Sequence, residues 1–131
     1  MIVLLISTIC VLSVIALGIR SLFGVFINTR ESETQARIGT GLWGSLDVFR
    51  LQVGHYPGDL NELLNPPPNP ADAARWKGPY LKSAEKLRDA WGRSYYYASP
   101  GRRNPDSYDL WSPGPDGLPE TADDITNWSS P

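Results

Sequence analysis

The two side chains that most often carry redox and metal chemistry are nearly missing. The 131 residues hold one cysteine and one histidine. With Cys10 alone no intrachain disulfide can form, and cysteine usage assigns no compartment. His55 lies in a Gly-His-Tyr-Pro-Gly break and reads as a surface turn residue rather than a catalytic base. No Ser–His–Asp order, nucleophile elbow or phosphate-binding glycine loop occurs, and Ser112, ahead of Pro-Gly-Pro, does not complete G-x-S-x-G. The residues therefore carry no signal of an enzyme. A basic excess is absent too. The formal net charge is −2, which points away from nucleic acid. There is no internal repeat. Twelve prolines and twelve glycines instead predict a loop-rich fold.

What is present begins with a long apolar run. From Ile2 to Ile19 every residue is apolar, glycine or a lone Ser or Thr, and Arg20 is the first charge. Nothing basic precedes Ile2 and no A-x-A motif follows, so a cleaved signal peptide fits poorly. Eighteen uncharged residues are too many for a buried core helix and suit a membrane-spanning segment of roughly 20 residues. Residues 1–27 are expected to form the membrane-spanning first half of a helix, and 28–53 its amphipathic second half. Ile38, Leu42, Leu46, Phe49 and Val53 recur at helical spacing as one buried stripe. Asp47, Arg50 and Gln52 fall off it. Gly39, Gly41 and Gly44 weaken the helix and permit close backbone approach.

Pro57 ends the helix. Asp59 reads as the N-cap of a short helix over Leu60–Leu64. Asn65 to Pro70 forms a stiff polyproline-like spacer, and Ala71–Trp76 one helical turn. Asp89-Ala-Trp-Gly-Arg93 is a turn into a short aromatic strand, Ser94–Ala98, predicted to pair antiparallel with Tyr108–Ser112. The density of Trp76, Tyr80, Trp91 and Tyr95–Tyr97 suits a small core; the alternative is a contact surface for a secreted substrate or glycan.

The clearest chemical feature is acidic. From Asp106 onward there are six Asp and Glu and no Lys or Arg. Asp116-Gly117 makes a tight turn, and Asp123 and Asp124 come seven residues later. Closing that loop gathers like charges, which is costly without a cation. Oxygen donors without His or Cys suit Ca²⁺ rather than zinc, and Mg²⁺ demands stricter geometry. The spacing is not that of an EF-hand, and a solvated acidic loop is the alternative.

Several segments, spread over roughly residues 45–128, resemble one family. They are Tyr56-Pro57, Pro67-Pro68-Asn69-Pro70, Trp76-Lys77-Gly78-Pro79-Tyr80-Leu81-Lys82, Asp89-Ala90-Trp91-Gly92, Tyr108–Ser112, Gly114-Pro115-Asp116-Gly117 and Ala122–Trp128. Each is weak alone; in this order and spacing they resemble the G-type major pseudopilins of type II secretion systems. The resemblance implies an α+β, pilin-like fold: a long N-terminal helix on a small antiparallel sheet, with a C-terminal calcium loop. It implies that Asp116, Asp123 and Asp124 bind Ca²⁺ through their side chains, and Pro113 and Leu118 through backbone carbonyls. It implies a single-pass inner-membrane protein with a periplasmic domain over 28–131. Such a protein self-assembles into a helical filament with other pseudopilins and the inner-membrane secretion platform, helping to export folded proteins across the outer membrane. The alternative from another class is a membrane-anchored, calcium-stabilised periplasmic binding module. Two departures stand out. The family's leader glycine and early helix glutamate are not found, Leu4 and Leu5 occupying the latter's place, so either the start lies upstream of Met1 or processing differs. Ala90 stands where the family's Asp-Pro-Trp-Gly motif has proline, which is expected to loosen that turn.

Overall fold

The computed structural model describes residues 2–128, with side chains from Ser13 onward. The expectations for Leu4, Leu5 and Cys10 lie outside the described side chains, as does much of the predicted membrane span. Among the described residues no helix is long and apolar enough to cross a membrane.

Two compact units divide the chain near Arg30. The first is helical throughout, being the opening part of α1 (Ile2–Ala36). From Ser13 onward most of its apolar side chains face outward: Leu17, Leu22, Phe23 and Phe26 are each more than 60% exposed. Two local contacts mark its end. Thr29 donates its hydroxyl to the Val25 carbonyl (2.8 Å), and the Arg30 guanidinium lies over the Phe26 ring.

The second unit holds the core. The helix runs on through a π-helical segment, Arg37–Leu42, into α2 (Trp43–Val53). The predicted stripe is buried in full: Ile38, Leu42, Leu46, Phe49 and Val53 are each 2% exposed or less. Thr34, equally buried, extends it by one turn. The π segment has a geometric reason. In an α-helix of 3.6 residues per turn, a step of four residues overshoots by about 40°. Three such steps in a row, 34→38→42→46, would swing the stripe off the core. The wider π turn absorbs the excess and keeps those side chains in register. Gly39, Gly41 and Gly44 border open space rather than another backbone of the same chain. Gly54 closes α2 with φ 107°, its N–H bonding the Arg50 carbonyl (2.8 Å), a left-handed cap that glycine adopts without strain.

The short elements follow prediction closely. Asp59 caps a 3₁₀ turn, Leu60–Leu63, and Asn69 caps α3 (Pro70–Arg75), accepting from the Ala71 N–H. A second 3₁₀ turn, Ala84–Leu87, had no sequence signal. The sheet has three antiparallel strands in the order β1 (Tyr96–Ala98), β2 (Asp109–Ser112), β3 (Ile125–Thr126). The anticipated pairing is present, with Tyr96 opposite Trp111 and Ala98 opposite Asp109. The two-residue β3 was too short to carry a periodicity. Leu110 and Ile125 point from the sheet into the helix stripe's cluster. Trp76, Tyr80, Trp91 and Tyr97 pack against that cluster and Tyr95 is buried in it, which makes most of these rings core rather than contact surface. Gly78 is squeezed between the Trp76 and Tyr80 rings, where any Cβ would collide.

The turn after the second 3₁₀ element ties the layers together. The Asp89 side chain is fully buried. One carboxylate oxygen accepts the N–H groups of Trp91 (2.9 Å) and Arg93 (2.8 Å). The other accepts from Ser112 Oγ (2.7 Å) and Arg93 Nε (3.2 Å). The Ala90 N–H donates to Thr34 Oγ1 (3.0 Å), and Arg37 reaches the Arg88 carbonyl (2.9 Å). Proline at position 90 would have no N–H to give. Here the substitution that was expected to loosen the turn adds a bond from it to the helix.

Candidate functional site

The acidic loop is the connection between β2 and β3, residues 113–124. Pro113 leaves the strand, and three residues with positive φ set the course of the loop: Gly114 (59°), Gly117 (75°) and Glu120 (66°). A Cβ on Gly114 would run into the backbone of Asp123. Only glycine therefore lets the outgoing and returning arms of the loop meet. Asn127 pins the returning arm beyond β3, exchanging bonds with Leu110 through both its side chain (2.9 Å) and its backbone (3.0 Å).

The arms close onto one another through the predicted residues. Asp123 Oδ2 accepts the Asp116 N–H (3.0 Å), and Asp116 Oδ1 accepts the Leu118 N–H (2.8 Å). Asp124 Oδ2 accepts the Glu120 N–H (2.8 Å). Thr121 sits at the centre. Its hydroxyl lies 2.6 Å from Asp123 Oδ1, 3.0 Å from the Leu118 carbonyl and 3.3 Å from Asp124 Oδ1. The Thr121 hydroxyl and the Asp116 N–H together hold the Asp123 carboxyl below its ordinary pKa. The Pro113 carbonyl accepts the Gly117 N–H (3.2 Å).

Leu118, Asp123 and Asp124 are thus brought together around Thr121, with Asp116 joined through its backbone. Among the described residues no three carboxylate, imidazole or thiol side chains converge into a ready metal-binding group. The donor chemistry nonetheless fits a hard cation. Three acceptor oxygens surround a hydroxyl that has a single proton, so two of them lack a donor from it. All the donors are oxygen, the type Ca²⁺ takes in sets of 6–8.

Sequence reasoning missed Thr121, Asp89 and Arg93. Asp89 was visible only as a turn residue, and the four hydrogen bonds its carboxylate accepts come from three residues, one of them on β2. Arg93 reaches from that turn into the loop: its Nη2 donates to the Gly114 carbonyl, and its guanidinium also lies over the Trp91 ring. Beside the loop runs a groove of about 710 Å³, lined among others by Arg102, Arg103, Trp111, Glu120 and Trp128. The backbone N–H groups of Arg102 and Arg103 are fixed by the Asp109 carboxylate (2.7 and 2.8 Å).

Comparison with known proteins places this arrangement. The family described as Type II secretion system (T2SS), protein G matches residues 22–128. Type II secretion system core protein G of Escherichia coli K12 is 36% identical over 107 residues, covering 77% of this chain and 71% of that protein. The core protein G of Vibrio cholerae is 33% identical over 125 residues, covering 88% and 84%. The crystal structure of the major pseudopilin from the type 2 secretion system of enterohaemorrhagic Escherichia coli superposes with a TM-score of 0.67 at 30% identity, over 82% of this chain and 93% of that one. The buried helix stripe and the small antiparallel sheet are therefore those of a pseudopilin, and the chain belongs to the type II secretion system protein G family.

Proposed function

We propose that this protein is a structural subunit of a type II secretion pseudopilus. It is held in the inner membrane by the apolar start of its helix, with the unit from Glu31 onward in the periplasm. It polymerises with copies of itself and with other pseudopilins into a helical filament, on the inner-membrane secretion platform, and so helps move folded proteins across the outer membrane. Its part is mechanical and not enzymatic. The observation that carries this reading is the unequal helix. Residues 34–53 bury one stripe completely, while Leu17, Leu22, Phe23 and Phe26 expose large apolar surfaces all round. Such a surface calls for lipid or neighbouring chains. A surface apolar on every side serves both in turn, because helix packing can replace lipid contact without a change of side chains.

The acidic loop is read as a structural calcium site. Asp116, Asp123 and Asp124 would supply carboxylate oxygens, and Leu118 and Pro113 carbonyl oxygens. The bound ion would neutralise the gathered carboxylates and tie the loop to the sheet. The three oxygens that share the one Thr121 hydroxyl proton support this reading.

Crosslinking the full chain in bacterial membranes tests the assembly. A ladder of multimers is expected, and it should collapse when Leu22 and Phe23 are both replaced by serine. A strictly monomeric product from the unaltered chain would instead favour an anchored binding module.

A further inference from the structure

The 113–117 turn has a different neighbour on each side. On one side Gly114 packs on the backbone of Asp123, and the Asp116 N–H bonds the Asp123 carboxylate. On the other stands Arg93. Its Nη2 donates to the Gly114 carbonyl, and its Nη1 fills the space where a Gly117 side chain would go. Its Nε is held by the buried Asp89 carboxylate (3.2 Å), which also takes the Ser112 hydroxyl at the root of the loop. The turn is therefore clamped between a fixed cation and the segment that carries Asp123 and Asp124. Arg93 is not adjacent in sequence to the loop and belongs to none of the ligand positions.

We propose that Arg93 is a positioning residue for the metal loop: it transfers the rigidity of the buried Asp89 turn to Asp116 and so presets the spacing of the oxygen donors. The inference rests on the calcium reading of the loop. Two physical effects act in opposite directions. A guanidinium near the loop repels a divalent cation, which lowers affinity. A clamp that removes alternative loop conformations raises affinity, because less freedom is lost on binding. The clamp governs here, because the guanidinium is bound at one edge by Asp89 and at the other by a carbonyl, a two-ended hold that uses its planar fork.

The test is a calcium titration of the full chain in mild detergent, read by tryptophan fluorescence and by melting temperature, on the unaltered protein, Arg93→Gln and Arg93→Lys. The expected result is a calcium midpoint roughly tenfold higher in both variants, with lysine failing to rescue because it carries the charge without the fork. Equal or tighter calcium binding by Arg93→Gln overturns the proposal. Full rescue by lysine overturns it too, since charge alone would then suffice. If the unaltered chain shows no response to calcium, the calcium reading itself falls and this inference with it. A normal response that Arg93→Gln leaves intact removes the inference alone. Circular dichroism of each variant in saturating calcium separates a shifted midpoint from a failure to fold.

Discussion

One helix lives under two regimes. From Thr34 to Val53 it is one-sided: a single stripe is sealed in the core, while Arg50 and Gln52 face out together with the apolar Trp43, Val48 and Leu51. From residue 13 to 30 it has no sides, and its large apolar residues are exposed on every face. The stripe of the first part is completed by its own chain. The second is not, and the calcium reading proposed above would make the oxygen-rich loop between β2 and β3 dependent in the same sense, through the acceptors gathered around Thr121. The difference teaches where this protein is self-sufficient and where it depends on something outside itself. Substitutions in the sealed part should cost stability. Those in the exposed part should cost assembly and leave stability alone.

The largest contrast is expected between Phe49→Ala and Phe23→Ala. Phe49 is completely buried, edge-on to the Tyr80 ring at 5.5 Å. Truncating such a residue costs about 3–5 kcal/mol, and each kcal/mol lowers the melting temperature of a domain this size by roughly 4–8 °C. Phe23 is 68% exposed, and its truncation should leave the melting temperature nearly unchanged while weakening the crosslinked ladder. Calorimetry on both variants decides the matter. Comparable destabilisation by the two would mean that the helix is one cooperative unit, and the division between its two parts would fail.

A smaller effect is expected at the loop. A cation that binds only the folded chain at 100 times its Kd stabilises by about 2.7 kcal/mol. Chelation of the unaltered protein should lower the melting temperature accordingly. Asp123→Ala and Asp124→Ala should melt like the chelated protein and respond no further to chelator. An unaltered chain indifferent to chelation would make the loop as self-sufficient as the core, with Thr121 and the backbone bonds enough to hold it.

How much of this could be read from the sequence divides along the same line. The stripe from Ile38 to Val53 was legible because burial on one face leaves a periodic trace, and the β1–β2 pairing because an aromatic run after a turn and the alternating Tyr108–Ser112 flank one loop. The π segment was also written there, in the run of four-residue steps that an α-helix cannot keep on one face. Read as plain helix, that run concealed it. Asp116, Asp123 and Asp124 were visible as a charge pattern. Thr121 was not, since a lone hydroxyl carries no spacing signal. Asp89 and Arg93 escaped for a different reason. Their meaning lies in contacts to Ser112 and Gly114, some twenty residues away, which no local pattern encodes. The bond from the Ala90 N–H to Thr34 is of the same kind: sequence showed a lost proline, and only the fold showed what the freed N–H donates to.

The smallest expected effect lies where the sealed helix ends. His55 Nδ1 is 2.8 Å from the Tyr56 carbonyl, and Nε2 is 3.2 Å from Asp72 Oδ1 on α3. Both partners are acceptors, and a neutral imidazole has only one N–H to offer. The protonated ring satisfies both, so the Tyr56 carbonyl first and Asp72 second raise the His55 pKa above its ordinary 6.5. A pKa raised in the folded state means that the contact stabilises below the unfolded value and is lost as pH climbs through the folded one. Stability should therefore decline modestly as pH rises past 6.5. Solvent reaches half of this side chain, which keeps the effect small. In Asp72→Asn the His55 titration followed by proton NMR should move down, staying partly raised by the Tyr56 carbonyl, and the melting temperature should vary less between about pH 5.5 and 8. An unchanged titration would show that α3 is not held to the helix end through this pair. The join would then rest on Arg75, whose Nη1 donates to the Val53 carbonyl (2.9 Å).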